Sequence, residues 1–374
     1  MKTTVCTCSF CRKGEYDPSE YMVDIAGFAK ERPVGVSGLM RVKNEARWVA
    51  QSIDTCIDAL DELIICYQSC SDETPWIIEQ KRRQYPDKIK VFFYAPPVFS
   101  HDLSEEEYGY ACSLPEDSIH LLSNYYNYTL SKATYRYAMK IDADQIYFPE
   151  RMIRLCDAYR SLPVKRKTIS ACLAIGYYRL FLSLSRRCPR FFFKTLDFLP
   201  FGNIVMEKYE TYLYVQISQT KQPVALSGIN LYKEKEEWKI PAYAECHEYM
   251  LSFNGNGDLV VFAISDKSYY TPFARPVDLK NFYTTNRMIE FFHREGPPPL
   301  FAGFYWYHMK FVGLEQFNGF PLCGKIEVDS FFRSSLSRLI RLKLLNYDWI
   351  FSVSHLFFFV YDKKIPRPEN LIKQ

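Results

Sequence analysis

No run of about 18 consecutive apolar residues occurs in this chain, so no segment has the length of apolar helix that crosses a bilayer. The nearest approach, Trp349 to Tyr361, is interrupted by Ser352, Ser354 and His355. The opening residues, Met1 to Arg12, are polar and cysteine-rich, so a secretory leader is not expected. Without one, the 12 cysteines, scattered along the chain, are expected as free thiols of a reducing cytoplasm and not as a disulfide framework. Charge of one sign is scarce as well. The formal net charge is only +4, with no dense basic stripe, which argues against a nucleic-acid partner. Internal repeats and low-complexity tracts are missing too. A soluble or peripheral cytoplasmic protein is the expectation.

What is present suits a sizeable folded unit. The 374 residues exceed a minimal domain, and 48% of them are hydrophobic, ample for one large α/β domain with additions or two packed ones. Aromatic residues reach 17%, with 29 Tyr and 29 Phe. Such rings suit stacking on sugars or contact with a membrane interface, and they equally suit a plain aromatic core. Cys6, Cys8 and Cys11 form the one tight cysteine cluster. Three thiolates can begin a zinc site, but no fourth ligand lies at a recognisable spacing.

Residues 1–33 are irregular and read as an N-terminal extension ending at Pro33. From Val34 to Met40 the chain alternates like a strand that runs into a polar loop, Arg41 to Glu45. Val49, Ile53, Cys56, Ile57 and Leu60 then recur at helical spacing, which predicts a helix over Glu45 to Leu60. Leu63 to Cys66 is a short apolar run of the buried parallel-strand kind. Thr74-Pro75 reads as a helix start, and Ile89 to Tyr94 as a third strand. The alternation means βαβ units and a parallel sheet. Pro96 to Asp117 reads as an acidic, turn-rich excursion, followed by a helix from about Ile119 to Tyr135 and a strand over Tyr137 to Ile141. Further on, Val224 to Glu237 reads as a strand and turn, and Phe253 to Asp258 as a glycine-rich turn.

The last of those early strands ends at Asp142-Ala143-Asp144. Carboxylates at i and i+2 share one face of an extended chain, and the carboxyl edge of a parallel sheet is where open α/β folds bind ligands. Such a pair suits a hard divalent ion bridging two phosphates of a nucleoside diphosphate, with Lewis-acid support for the departing diphosphate. An Asp-x-Asp pair alone is weak; its place after an apolar strand and two βαβ units gives it weight.

The order of these pieces resembles the nucleotide-binding half of GT-A glycosyltransferases, in particular the inverting family 2 group. The matching pieces are the first strand, Val42-Lys43-Asn44-Glu45 opening a helix, the second strand with Ser69-Cys70-Ser71-Asp72, and Asp142-Ala143-Asp144. The resemblance implies a GT-A Rossmann-like mixed sheet flanked by helices, an acceptor-side α+β second half and a C-terminal helical extension. It also implies that Asn44, Glu45 and Asp72 border a nucleoside, and that Asp142 and Asp144 hold Mn2+ or Mg2+. The family commonly carries acidic residues ahead of the Ser-x-x-Asp turn, where this chain has Tyr67-Gln68. The residues themselves leave other readings open: Glu45 is a favourable charge at a helix start, and Asp72 can be a cap beside Thr74.

The second half should bind the acceptor and supply a catalytic base. Asp258, after Phe253-Asn254-Gly255-Asn256-Gly257, is one candidate, with an ordinary turn aspartate as the plain alternative; Glu245, His247 and Glu248 form a rival cluster. His308 and Lys310 alternate onto one face of an aromatic strand. The resemblance implies a further metal ligand at His308 and a diphosphate contact at Lys310; a lone histidine among aromatics also suits a core position. The basic, aromatic stretch Arg186 to Lys194 and the segment Arg333 to Lys343 suit weak peripheral contact with an anionic inner membrane, or a solvated face beside a core.

The expected organisation is an extension over 1–33, a nucleotide-sugar half over 34–150, an acceptor-binding half over 151–325 and a helical extension over 326–374. The expected activity is transfer of a sugar from a nucleoside diphosphate sugar, uridine-linked, to a hydroxyl of a growing glycan or glycolipid such as lipopolysaccharide or capsule. Inversion is the expected stereochemistry. A non-catalytic glycan-binding or scaffold protein and a nucleotide-sugar pyrophosphorylase are the alternatives. The second normally needs a glycine-rich basic loop after the first strand, which Gly38 to Lys43 only faintly imitates.

Overall fold

The computed structural model describes residues 6, 8–163, 167–187, 201–234, 237–241, 253–278, 285–309, 312, 325–333, 357–358, 360–362 and 364–372. The chain divides into two compact units. The first takes Met1–Ile53, Leu60–Ala143 and Val261–Pro297, and the second takes Asp54–Ala59, Asp144–Val260 and Pro298–Gln374.

The first unit opens with a five-residue helix α1 (Ser9–Lys13) and then builds a parallel sheet from β1 (Val36–Val42), β2 (Glu62–Tyr67), β3 (Ile89–Phe93) and β4 (Tyr137–Ile141). Their order is β3-β2-β1-β4, every pair parallel. Leu63 to Cys66 are wholly buried, as expected of strands covered on both faces. Gly38 is the tight spot: a Cβ there would lie 2.5 Å from Leu60 Cδ1 and 2.9 Å from Leu63 Cδ1, so any side chain would have to push both leucine methyls aside.

Helix α2 (Val49–Cys56) is shorter than the predicted Glu45–Leu60. Residues 45–48 form the turn that leads into it, and Ile57–Ala59 tighten to a 3-10 turn. Val49, Ile53 and Cys56 are its buried face. Helix α3 (Thr74–Gln84) starts with Pro75 in its first turn, as the missing proline N–H permits. The Pro96–Asp117 excursion contains a helix that composition concealed, α4 (Glu105–Ser113). A capping box starts it: Glu107 N–H donates to Ser104 Oγ at 3.2 Å, and Ser104 N–H donates to Glu107 Oε2 at 2.9 Å. Helix α5 (Leu122–Ser131) is buried from Ser123 to Leu130.

In the second unit β5 (Gln145–Tyr147), α6 (Pro149–Arg160), α7 (Ile169–Arg187) and α8 (Gly202–Thr220) precede β6 (Val224–Asn230), β7 (Tyr232–Glu234) and β8 (Glu237–Pro241). Strand β9 (Phe253–Ala263) follows. It runs through the segment predicted as a glycine-rich turn, because the glycines here lie within extended backbone, where they mark a close approach in a strand as readily as a bend. Its last residues, Val261–Ala263, belong to the first unit and pair antiparallel with β4. Next come the first unit's antiparallel hairpin, β10 (Ser268–Arg275) and β11 (Arg287–Arg294). Asn127 of α5 locks onto it twice, donating to Tyr270 O and accepting from Tyr270 N–H, each at 2.8 Å. Strand β12 (Leu300–His308) returns to the second unit, parallel to β6 on one side and antiparallel to β5 on the other. Strand β13 (Lys325–Glu327) pairs antiparallel with β8, and helix α9 (Val328–Phe332) follows.

The result is the predicted mixed α/β architecture. Among the described residues no helix is long and apolar enough to cross a membrane.

Candidate functional site

Strand β4 delivers Asp142 at its end. Ser52 Oγ donates to the Asp142 carbonyl at 2.9 Å, which pins the backbone there. The Asp142 carboxylate lies 3.7 Å from Lys140 Nζ and 3.9 Å from Arg41 Nη2. Arg41 is itself an unusual group. Its side chain is only 6% exposed, and its guanidinium lies 3.6 Å over the Tyr126 ring. A charged plane stacked on an aromatic face and beside a carboxylate is a cation held in place before any ligand arrives.

Two residues along the chain, Asp144 meets different partners. Its carbonyl accepts from Met309 N–H at 2.8 Å, and its Oδ2 lies 3.1 Å from His308 Nε2. His308 ends β12, in register with Asn230 of β6 and Gln145 of β5. Its Nδ1 is 2.7 Å from Asn230 Oδ1. An amide oxygen only accepts, so Nδ1 carries the proton and a neutral ring leaves the Nε2 lone pair facing a carboxylate. Two acceptors 3.1 Å apart repel each other unless a proton or a cation stands with them. Carboxylate oxygen plus an imidazole nitrogen whose far side is anchored is a donor set that fits a divalent ion such as Mn2+ or Mg2+.

The loops after β1 and β2 bring Asn44, Glu45 and Asp72 together, chiefly as a joint. Ser71 N–H donates to Asn44 Oδ1 at 2.8 Å, and Ala46 N–H donates to Asp72 Oδ2 at 3.0 Å. Thr74 N–H reaches Asp72 Oδ1 at 3.1 Å, and Glu45 N–H donates to Thr74 Oγ1 at 2.7 Å. Asn44 takes φ of 56°, the left-handed conformation that asparagine tolerates best after glycine. Burial pushes the Asp72 carboxyl up, but the hydrogen bonds from Thr74 and from the Ala46 amide outweigh it and leave its pKa below the usual aspartate value. Asp72 thus ties the start of α3 to the loop after β1 through the Thr74 and Ala46 amides.

Asp258 lies within β9, and its side chain falls outside the described residues; Lys310, Glu245, His247 and Glu248 fall outside them entirely. Sequence reasoning passed over Arg41, Lys140 and Asn230. Each carried a signal, because each is a polar residue at or near the end of an otherwise apolar buried strand, at the edge where ligands bind.

A family model described as Beta-1,4-N-acetylgalactosaminyltransferase (CgtA) matches residues 28–182. In sequence, then, the chain resembles GT-A glycosyltransferases from the end of its N-terminal extension into α7. No curated protein matches it. Among solved structures, it is similar to glucosyl-3-phosphoglycerate synthase from Mycobacterium tuberculosis in complex with Mn2+, uridine diphosphate and phosphoglyceric acid. That match has 16% identity and a TM-score of 0.22, and covers 37% of this chain and 42% of the other. The same enzyme with Mn2+, UDP-glucose and phosphoglyceric acid matches at 15% identity and a TM-score of 0.23, covering 44% of this chain and 53% of the other. The chain thus spans about half or less of the length of these solved proteins.

Proposed function

We propose that this protein transfers a sugar from a nucleoside diphosphate sugar, uridine-linked, to a hydroxyl of a growing glycan such as lipopolysaccharide or capsule, with inversion at the anomeric carbon. The observation that carries the reading is the meeting of Asp144 with His308, whose far nitrogen is tied to Asn230. The match of residues 28–182 to a family of N-acetylgalactosamine transferases supports the same reaction class.

In this reading Asp142, Asp144 and His308 hold Mn2+ or Mg2+, which when bound supplies Lewis-acid support for the leaving diphosphate. Asn230 keeps the ligating tautomer of His308 by accepting from Nδ1–H. Arg41 and Lys140 hold fixed positive charge beside Asp142, where an anionic diphosphate gains from it without reorganisation. Asn44, Glu45 and Asp72 shape the loops that border the nucleoside, and Lys310 meets the diphosphate. Asp258 takes the proton from the acceptor hydroxyl as it attacks. The acceptor, a membrane-borne glycan, puts the enzyme at the cytoplasmic face of the inner membrane through peripheral contact.

Purified protein is screened by thermal shift against nucleoside diphosphates with and without Mn2+, and Asp142→Asn and Asp144→Asn are assayed for glycan output in cells. A Mn2+-dependent rise with uridine diphosphate, abolished in both variants together with glycan output, is expected. Unchanged output from both variants would replace the enzyme by a glycan-binding scaffold. Proton NMR of the product linkage, compared with the donor anomer, checks inversion independently.

A further inference from the structure

The N-terminal cysteine cluster that lacked a fourth partner in sequence acquires one in space. His120, which immediately precedes the Leu121 cap of α5, brings its Nε2 to 3.2 Å from Cys8 Sγ and 3.1 Å from Cys11 Sγ. The ligating atoms of Cys6, Cys8, Cys11 and His120 all lie within 4.8 Å of one another. A tetrahedral zinc with Zn–S of about 2.3 Å and Zn–N of about 2.0 Å sets its ligand atoms roughly 3.5–3.8 Å apart, so the four atoms already span a cage of the right size.

The surroundings are those of a metal site on three further counts. His120 Nδ1 lies 2.8 Å from Pro97 O, and a carbonyl only accepts, so Nδ1 carries the proton and Nε2 presents its lone pair to the sulfurs. Cys8 Sγ accepts from Cys11 N–H at 3.4 Å, and Cys11 Sγ accepts from Tyr16 OH at 3.8 Å, which are bonds that favour thiolate sulfur. His120 is fully buried, Cys11 is buried, and Cys6 and Cys8 are half-buried, so the nitrogen and one sulfur sit inside the fold and the other two sulfurs at its edge.

We infer that Cys6, Cys8, Cys11 and His120 bind one structural zinc ion, as a closed three-sulfur, one-nitrogen site with no open position for a substrate. Each thiol releases its proton to solvent on binding, and no oxidant or reductant takes part. Three thiolates select a borderline-soft cation over Mg2+, Ca2+ or Mn2+. The ion joins residues 109 positions apart, Cys11 and His120, and so ties the N-terminal segment to the loop that leads into α5. That segment needs a tie: α1 is five residues long and buries only Cys11. Its Phe10 ring rests 5.5 Å from Phe99 and 5.9 Å from Tyr110, aromatic contacts that the metal would fix in place.

The full chain is purified without chelators or histidine tag, and its metal is counted by inductively coupled plasma mass spectrometry, with X-ray absorption at the zinc edge giving the ligand shell. About one zinc per chain is expected, with three sulfurs and one nitrogen around it. Cys8→Ser/Cys11→Ser and, separately, His120→Ala should each lower zinc content by about tenfold or more, whereas Asp144→Asn should keep it. Cobalt exchanged into the wild type should show thiolate-to-cobalt charge transfer and tetrahedral d–d bands, both absent from the cysteine variant. Wild-type protein that carries no zinc after growth in zinc-supplemented medium overturns the assignment. So do iron in place of zinc, a disulfide among the three cysteines, or an absorption shell of nitrogen and oxygen alone. If the variants fail to fold, the wild-type ligand shell still decides.

Discussion

The role given to Asn230 exposes the proposed metal site to a sharp test, because in this reading the residue works through His308 and not as a ligand of its own. In Asn230→Ala the His308 Nδ1–H, on a residue 8% exposed, loses its acceptor. Losing the acceptor of a buried hydrogen bond costs about 1–3 kcal/mol of stability. The ring is then free to carry its proton on Nε2 instead, where it hydrogen-bonds Asp144 and occupies the direction a cation needs. Removing the outer partner of a ligating histidine typically weakens metal binding about 10–100-fold, or about 1.4–2.7 kcal/mol. Asn230→Asp keeps an acceptor at the same place and should hold Mn2+ at least as tightly as the parent protein. Titration with Mn2+, following the free aquo ion by electron paramagnetic resonance, reads the affinity directly, and circular dichroism verifies the fold of each variant. Wild-type affinity in a folded Asn230→Ala protein would refute the tautomer argument. Equal losses in the Ala and Asp variants would show that Asn230 matters for something other than the hydrogen bond it accepts.

Two further outcomes follow from groups away from that site. Glu62 opens β2 with its side chain buried, and Ser37 Oγ of β1, the Thr134 amide and Lys90 Nζ of β3 each lie 2.6 Å from its carboxylate. Burial pushes its carboxyl up, but Lys90, Ser37 and Thr134 together hold it below the usual glutamate value. A carboxyl lowered in the folded state gives stability that is complete above its unfolded pKa and fades as pH falls through the folded one. Glu62→Gln should therefore cost about 1.5–3 kcal/mol at neutral pH in urea denaturation, and the gap to the parent should narrow in acid; a gap indifferent to pH would count against it. In the second unit, Arg151 Nη2 lies 2.6 Å from Asp362 Oδ1, with side chains 8% and 5% exposed, and Arg151 Nη1 also donates to Phe304 O at 3.1 Å. Arg151→Ala leaves Asp362 buried without its ion partner and should cost about 3–5 kcal/mol, most of it recovered in Arg151→Met/Asp362→Leu. A double variant no better than the single one would show that the loss comes from packing and not from the stranded charge.

The parts of this molecule that sequence reveals are those whose physics is local. An apolar run such as Leu63 to Cys66 is a buried strand whatever surrounds it, and four such strands with helices between them have few ways to assemble. Asp142 and Asp144 stand out for the same reason: the strand before them fixes where they emerge. Helix ends are less legible, because the Glu45–Leu60 periodicity counts side chains while the helix itself is limited by backbone bonds. Thr74 Oγ1 and Asp72 draw the Glu45 and Ala46 amides into the joint with the next loop, and the helix begins only at Val49. Helix α4 went unseen although Ser104 and Glu107 spell out its start, since an acidic, weakly amphipathic stretch offers the eye no apolar stripe to follow.

Partnerships across the chain are a different kind of information. Asn230 becomes meaningful only once β6 lies beside β12, and Arg41 only once Tyr126 of α5 lies beneath it. The cysteine cluster shows the limit most clearly. Ligand spacing identifies a metal site when all ligands belong to one or two short knuckles, because the chain between them must then close a small ring. His120 stands 109 residues beyond Cys11, and no spacing rule reaches so far. It arrives because the loop after β3 turns back before α5, a path set by Tyr94, whose hydroxyl donates to Ile119 O at 2.7 Å, and by the Pro97 carbonyl that His120 itself engages. The fourth ligand is thus placed by the same buried framework that orders the sheet, so metal binding and the docking of the N-terminal segment should be lost together when that framework is cut.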